Sequence, residues 1–326
     1  MPVRRGEHLA ALMDVDFLLG VSDNTRQGAL RFRSLGETDF LGEPSKVPHL
    51  ISLPELLRAS DELISEDDPV EAIKHLLDTG STGLGGARPK ASVLLEDGSL
   101  AIVKFPHGSD RWDVMAWEAT MLDLQEKAGI VVPQRRLIRV GRRNVLVVRR
   151  FDRGKDGARI GYMSAMTATE SSDGDQRDYA DIAEAMRDIS SSVKKDHRSL
   201  YRRVIANAAL GNTDDHLRNH GFIAVGGGWE LSPVFDVNPN PDIHNRRATS
   251  VVGTDTFPDE VGAVLDLAEE CGMRLEGAKR ELLRIADSFA DWETLARNNG
   301  IAQREILMMA DSIRPRLGAI AAIGDR

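Results

Sequence analysis

The feature that most constrains the fold is a change of pattern near the middle of the chain. Up to Arg153, short apolar segments alternate with glycine-bearing turns, as in Ala91–Leu95 and Ser99–Phe105 around Gly98. From residue 178, apolar residues recur at helical spacing in five segments: Tyr179–Ile189, Leu200–Leu210, Glu260–Cys271, Leu275–Phe289 and Gln303–Ile313. Strands followed by a run of helices favour an α+β fold. We predict a bilobal chain, with a strand-rich N-terminal lobe and a helical C-terminal lobe.

The charge balance limits the classes of partner. The 326 residues carry a formal net charge of -9, so nucleic acid is not the default partner of the whole chain. Eight arginines lie between Arg135 and Arg153. This cluster is interpreted either as a solvated face of two strands or as a surface that binds phosphates or an acidic partner.

Cysteine use and hydropathy predict the compartment. The lone cysteine, Cys271, cannot form an internal disulfide. Asp14 and Asp16 interrupt the first apolar run before it reaches signal-peptide length, and no segment approaches the ~20 apolar residues of a membrane span. We therefore expect a soluble cytoplasmic protein without a membrane partner.

The first half contains elements suited to phosphate binding. Residues 1–55 are interpreted as strands and loops, and residues 69–78 as a short helix that runs into the glycine-rich stretch from Gly80 to Lys90. Exposed backbone N–H groups in such a stretch form an anion-binding nest. Lys104 ends the second strand of the following hairpin, and Glu118 lies on the helix that Asp113 opens.

A second group of polar residues follows the helix Leu200–Leu210. Asp214 precedes Asn219 by five residues, and Asp236 follows beyond a short apolar strand. Each alone is typical of a turn or cap. Their order and spacing match the carboxylate, amide and second carboxylate with which kinase-like sites receive a hydroxyl proton and hold Mg²⁺ with ATP.

These residues together resemble the HipA-like serine/threonine kinases, the toxin components of bacterial type II toxin–antitoxin systems. The resemblance covers nearly the whole chain through these motifs: Phe17–Val21, Gly28–Phe32, Gly85–Lys90, Val103–Pro106, Trp112–Glu118, Arg150–Arg153, Asn212–Asn219 and Ser232–Asp236. It implies a protein-kinase-like fold, ATP and Mg²⁺ as cofactors, and a protein serine or threonine as acceptor.

Carried over position by position, the resemblance implies the site residues. Asp214 corresponds to the catalytic aspartate, and Asn219 and Asp236 to the metal ligands. Glu118 corresponds to the ion-pair partner of Lys104. The implied ATP contacts are Gly85, Gly86, Ala87, Arg88, Pro89, Lys90, Lys104, Arg149, Phe151, His216 and Asn219.

The resemblance also implies a domain division and a modification site. Residues 1–55 correspond to the remnant of an N-terminal subdomain, residues 56–153 to the N-terminal lobe with phosphate loop and hinge, and residues 154–326 to the catalytic lobe. The family's autophosphorylated serine corresponds to Gly83 here. Ser81 and Thr82 beside it are the candidate autophosphorylation sites.

The function implied is a HipA-type toxin kinase that arrests growth by phosphorylating a translation-related protein, such as an aminoacyl-tRNA synthetase or a translation factor. A HipB-like helix-turn-helix antitoxin would restrain it and make most of the DNA contact. Two alternatives stay open. One is a small-molecule kinase of the same fold, and the other is a catalytically silent module that binds an antitoxin–DNA complex through the arginine-rich surface.

Overall fold

A computed structural model of the chain describes residues 13–42, 47–64 and 88–325. The chain divides into two compact units. The first runs to Ser109 and includes Val140–Arg142 and Val147–Gly161, and the second comprises Asp110–Arg139, Arg143–Leu146 and Tyr162–Arg326. The predicted domain boundaries at residues 55 and 153 are not tested by this grouping and stay a prediction.

The predicted hairpin of the first unit is confirmed. Strands β1 (Lys90–Leu94) and β2 (Leu100–Lys104) are antiparallel, with Gly98 at φ 76° in the turn. Alternate residues on one face are fully buried, as expected for period-two burial: Ala91, Val93, Ala101 and Val103. The hairpin belongs to a sheet of strand order β1-β2-β4-β3, in which β3 is Arg135–Val140 and β4 is Arg143–Arg149.

The N-terminal part differs from the prediction of strands and loops. Asp14–Gly20 forms helix α1, Leu50–Ser52 a 3₁₀ turn and Leu53–Ile64 helix α2, while residues 21–42 contain neither helix nor strand. Arginine side chains bind the backbone carbonyls that a neighbouring strand would otherwise bind. Arg26 donates to the carbonyls of Leu18 and Val21, and Arg150 donates to that of Thr25. This segment is therefore held by side chains rather than by sheet pairing.

The second unit is mainly helical. Its first helix, α3 (Val114–Lys127), begins at Asp113, whose carboxylate accepts from the N–H of Ala116 at 3.0 Å, as the sequence predicted. The remaining helices are α4 (Ala165–Ala168), α5 (Tyr179–Ile189), α6 (Val193–Leu210), α7 (Asp259–Glu270), α8 (Leu275–Phe289), α9 (Trp292–Asn298) and α10 (Gln303–Asp325). Short strands complete it: β5 (Tyr162–Ser164), β6 (Arg177–Asp178), β7 (Gly221–Val225), β8 (Gly228–Leu231) and β9 (Thr249–Ser250).

All five helices predicted for the second half are confirmed. Helices α5 and α8 begin and end at the predicted residues. Helix α6 begins earlier than predicted, at Val193, and α10 continues past Pro315 to Asp325. Helix α9 was not predicted because its seven residues are too short for a clear periodic pattern. The mixed helix and strand content agrees with the α+β prediction.

Helix α6 lies in the core of the second unit. It packs against α5, α7, α8 and α10, and its side chains are fully buried on several sides: Leu200, Tyr201, Val204, Ile205, Ala206 and Ala208. A helix surrounded in this way is fixed by its neighbours. Its C-terminal end therefore starts the next loop from a rigid base. Among the described residues, no helix combines the length and apolar character needed to cross a bilayer.

Candidate active site

Residues 212–219, called the 212–219 loop below, begin where α6 ends. Gly211 closes the helix at φ 69° and its N–H donates to the carbonyl of Asn207. A Cβ atom at this position would lie 3.1 Å from Ser312 Oγ and 3.4 Å from the carbonyl oxygen of Asn240. The positive φ favours glycine, and a Cβ atom would in addition crowd Ser312 Oγ. The predicted glycine stop is confirmed, and it sets the direction in which the loop leaves the helix.

The loop closes on itself between Asp214 and Asn219. The carbonyl oxygen of Asp214 accepts from Asn219 Nδ2 at 3.1 Å and from the N–H of His216 at 3.2 Å. A carbonyl can only accept, so the nitrogen of the Asn219 amide faces Asp214 and the oxygen points elsewhere. The side chain of Asp214 is exposed, whereas Asn219 is buried. The five-residue spacing thus joins an accessible carboxylate to a fixed amide oxygen.

Asp215 has the opposite environment. One of its carboxylate oxygens, Oδ2, accepts from Tyr179 Oη at 2.5 Å, Asn207 Nδ2 at 2.7 Å and His220 Nε2 at 2.9 Å. Burial raises the pKa of Asp215, whereas the charge interaction with His220 and the hydrogen bonds from His220 and Tyr179 lower it. The lowering effects prevail, so the pKa of Asp215 lies below its ordinary value. Asp215 therefore stays ionised and anchors the loop.

A buried ion cluster extends this anchoring to the C-terminal helix. Arg247 donates to the carbonyl of Asn212 at 3.0 Å and pairs with Glu260 at 3.1 Å. Glu260 also pairs with Arg316 of α10, and all three charged side chains are buried. Buried charges are tolerated when paired in this way. The arginines neutralise Glu260 and fix the start of the loop.

Sequence reasoning did not assign a role to Asp215, Arg247 or Glu260. Asp215 stands next to the predicted Asp214 and could not be separated from it by spacing. Its partner Tyr179 lies 36 residues away, and Arg316 lies 56 residues from Glu260. The only local signal was a charged residue, Glu260, at the start of an otherwise apolar helix face.

Asp236 has an unusual backbone conformation. Its φ is 59°, which few residues other than glycine adopt. The chain on both sides is fixed, since the N–H of Val234 donates to Val131 O at 2.9 Å and that of Asn240 to Gly211 O at 2.9 Å. Such conformations persist only where the surroundings hold them, and they cluster at functional sites.

The β7–β8 hairpin brings the two proposed metal ligands to the same end of a sheet. Asn219 precedes β7 and Asp236 follows β8, and the two strands are antiparallel. The N–H of Ser232 donates to Gly221 O at 2.8 Å, extending the pairing beyond the strands. The N–H of Asn238 also approaches Asn212 Oδ1 at 3.4 Å. The segment after Asp236 therefore runs beside the 212–219 loop.

These residues fit Mg²⁺ held jointly with a phosphate ligand. Among the described residues, no group of three or more His, Cys, Asp or Glu could hold a metal. Protein oxygens from Asn219 and Asp236 alone suit Mg²⁺, which commonly takes one or two carboxylates and completes its shell with phosphate and water. Within the described part of the chain, the buried atoms His216 Nδ1 and Asn238 Oδ1 have no hydrogen-bond partner. A polar ligand at this loop would satisfy them.

Two lysines face each other in the first unit. Lys104, at the end of β2, is buried and is the direct cross-strand partner of Lys90 on β1. Like charges directly opposite each other destabilise a strand pair. The pairing is consistent with the predicted phosphate contacts of Lys90 and Lys104, which stay predictions.

Glu118 is buried on α3 of the second unit. A buried carboxylate requires a polar partner, and the predicted ion pair with Lys104 stays a prediction. At the predicted hinge, Arg149 pairs with Asp97 at 3.0 Å and Phe151 is half-buried. Neither observation tests a contact with ATP.

The remaining predicted residues fall in two groups. Arg88 and Pro89 are among the described residues. They directly precede β1, and both are half-buried. Gly85, Gly86, Ala87, Ser81 and Thr82 lie outside the described residues, as do Gly83 and the predicted helix at 69–78.

The sequence profile of one protein family, the HipA-like C-terminal domain, matches residues 82–311. The match includes most of the chain. The chain belongs to the HipA-like C-terminal domain family. The resemblance predicted from the motifs is thereby confirmed.

Solved structures share the HipA-like fold. HipA of Shewanella oneidensis MR-1, solved in complex with HipB and its operator DNA, matches with 17% identity and a TM-score of 0.56, over 79% of this chain and 70% of that one. The Helicobacter pylori proinflammatory kinase CtkA matches with 15% identity and a TM-score of 0.58, over 75% of this chain and 95% of that one. A search of curated proteins found no match.

Proposed function

We propose that this chain is an ATP-dependent protein serine/threonine kinase of HipA type, with two lobes and a nucleotide cleft. The observation that carries the proposal is the closed 212–219 loop. It presents Asp214 to solvent, fixes the amide of Asn219 through the Asp214 carbonyl, and runs beside the segment that follows Asp236. Family membership supports the same function.

Each residue has a distinct role in this proposal. Asp214 orients the acceptor hydroxyl and receives its proton, because it is the exposed carboxylate of the loop. Asn219 Oδ1 and Asp236 hold Mg²⁺, and His216 contacts a phosphate. When bound, Mg-ATP supplies the phosphoryl group and neutralises its developing charge. Lys104, paired with Glu118, and Lys90 hold the remaining phosphates.

A partner and a substrate are proposed on the same basis. The neighbour from Shewanella oneidensis was solved with HipB and operator DNA. We therefore propose that this chain is the toxin of a toxin–antitoxin pair in the cytoplasm, restrained by a HipB-like antitoxin. Its acceptor would be a translation-related protein, such as an aminoacyl-tRNA synthetase or a translation factor.

The test uses Asp214→Asn. Its side chain makes no hydrogen bond or ion pair with the described residues, so the variant should keep its melting temperature and its affinity for Mg-ATP but transfer no labelled phosphate to lysate proteins. Asp291→Asn, which removes an exposed pair with Lys127, is the matched control and should remain active. Undiminished transfer by Asp214→Asn would contradict the proposed role.

The same labelling experiment separates the alternatives. Label in a protein band favours a protein kinase, and label confined to small molecules favours a small-molecule kinase. A silent binding module would show no ATP-dependent thermal shift. The ion pairs weaken this alternative. Arg135, Arg149, Arg150 and Arg153 are already paired with carboxylates, which reduces the positive charge that the arginine-rich surface offers to an antitoxin–DNA complex.

A further inference from the structure

A turn close to the 212–219 loop has an unusual backbone. Val252 has φ 44°, and it is exposed. A β-branched residue at positive φ is a genuine outlier, because its Cβ crowds the backbone. The turn comprises residues 250–254 and is called the 250–254 turn below. An exposed apolar residue gains little from packing, so neither packing nor backbone preference accounts for valine at this position.

One carboxylate holds the turn in this conformation. Asp178 accepts from the N–H groups of Val252 at 3.0 Å and Gly253 at 2.8 Å, and from Ser250 Oγ at 2.5 Å. It also caps α5 through the N–H of Ala180 at 2.9 Å. An ionised carboxylate is a strong acceptor for several N–H groups at once. The outlier at Val252 is therefore fixed by its surroundings.

The residues before the turn lie beside Asp214. The N–H of Ala248 donates to Thr213 O at 2.8 Å, and Thr249 Oγ1 donates to Asp215 O at 2.7 Å. These two bonds flank Asp214 on either side in the chain. Val252 is three residues beyond Thr249, at most roughly 11 Å along an extended backbone.

The element that braces the turn also braces the loop. Asp178 holds the turn, and its neighbour Tyr179 donates to Asp215. Two consecutive residues thus fix the turn and the exposed carboxylate relative to each other. This coupling is what a surface that aligns an acceptor segment with Asp214 requires.

The chemistry of the surface indicates its occupant. Ala248 and Val252 are exposed and apolar, Ser250 and Thr254 are neutral, and the nearby Arg246 is paired with Asp255. Three residues separate Val252 from Thr249, which contacts the backbone beside Asp214, and an extended acceptor polypeptide covers such a span in three to four residues. The uncharged side chains of Ala248, Ser250, Val252 and Thr254 favour a neutral, partly apolar segment.

We propose that the 250–254 turn is a docking element for the acceptor segment of a protein substrate, with Val252 contacting an apolar side chain next to the acceptor serine or threonine. This rests on the proposed kinase function. Asp178 is a positioning residue for the turn. The proposal adds to that function a surface that holds the acceptor segment and a preference for an apolar side chain beside the acceptor hydroxyl.

The test compares Val252→Asp and Val252→Gly with the wild type. Phosphate transfer from labelled Mg-ATP to proteins of a lysate of the source organism is measured at increasing lysate concentration. Both variants should raise the lysate concentration needed for half-maximal labelling by about tenfold, because each loses one apolar contact with the acceptor segment. Affinity for Mg-ATP should not change. Glycine fits the positive φ, so this variant folds even if the aspartate variant does not.

Leu307→Asp, an exposed apolar position on α10, is the control and should label as the wild type does. Unchanged labelling by both Val252 variants would overturn the docking role while leaving the kinase proposal intact. Reduced Mg-ATP affinity in both would also overturn it, because the turn would then act through the nucleotide. Absence of transfer by the wild type would contradict the kinase function itself.

Discussion

Two adjacent aspartates of the 212–219 loop have opposite environments. Asp214 is exposed, whereas Asp215 is buried and accepts from Tyr179, Asn207 and His220. The carboxylate that can reach a substrate therefore depends on a neighbour that cannot. Chemistry and anchoring are divided between two residues of the same type.

Replacing the anchor should destabilise the fold. In Asp215→Asn the buried charge is lost and an amide group faces the donors of Asn207 and His220. Breaking a buried, hydrogen-bonded pair from one side costs about 3 kcal/mol. Urea unfolding should show this decrease, while Asp291→Asn, in an exposed pair, should change the free energy of unfolding by less than about 1 kcal/mol. Equal effects of the two substitutions would contradict the anchoring role.

At the scale of elements, helix α6 and the loop it delivers meet at Gly211. Gly300 provides a matched comparison, because its φ is 79° and a Cβ there would meet nothing within 4 Å. Gly300→Ala should lower the free energy of unfolding by about 1 kcal/mol, because alanine disfavours the left-handed backbone conformation. Gly211→Ala should lower the free energy of unfolding further and reduce phosphate transfer, since the added Cβ also crowds Ser312 Oγ. Similar values for both variants in thermal unfolding would argue against the packing constraint.

Glu281 joins α8 to α6 and should make stability depend on pH. It accepts from Arg198 and Arg202 of α6 and from Arg284 of its own helix. Burial raises the pKa of Glu281, but hydrogen bonds from Arg202 and Arg284 lower it to about 2, from 4.5. Because the folded pKa is lowered, the stabilisation is complete above pH 4.5 and disappears as the pH falls towards 2.

The measurement compares wild type with Glu281→Gln between pH 6 and pH 2.5. Solvent screens the interaction because the arginines are partly exposed. The free energy of unfolding of the wild type should therefore exceed that of Glu281→Gln by about 2 kcal/mol at pH 6. The difference should shrink steadily below pH 4.5. Parallel curves over this range would contradict the contribution of the ionised carboxylate.

At the scale of the whole molecule, binding of the proposed ligand is linked to the stability of the folded chain. A ligand that binds the native chain stabilises all of it. At one hundred times its Kd, Mg-ATP should contribute about 2.7 kcal/mol and raise Tm by about 5 °C.

Asp236→Asn should remove the part of that shift that depends on the metal. Its Tm in ATP should be the same with Mg²⁺ and with EDTA, whereas wild-type Tm should fall when EDTA is added. Asp97→Asn, a change at an exposed carboxylate of the first unit, should retain the metal dependence. A metal-dependent shift that persists in Asp236→Asn would exclude Asp236 as a ligand.

Several parts of the fold could be predicted because their causes are local. The hairpin turn at Gly98, the cap at Asp113 and the stop at Gly211 each follow from backbone preferences within a few residues. The helices of the second half follow from apolar periodicity. The prediction of strands and loops was wrong for Asp14–Gly20, which is a helix, and residues 21–42 contain no strand; there Arg150, from a distant part of the chain, binds the carbonyl of Thr25.

The sequence by itself determined the β1–β2 hairpin, the five main helices of the second half, the family, and the spacing of Asp214, Asn219 and Asp236. Only the tertiary structure decided that Asp214 is exposed while Asp215 is buried, and that Arg247, Glu260 and Arg316 hold the loop. It alone revealed the positive φ of Val252 and its dependence on Asp178. The physical reason is sequence separation: the contacts Tyr179–Asp215, Glu260–Arg316 and Asp178–Val252 join residues that are 36, 56 and 74 positions apart and that only packing brings together.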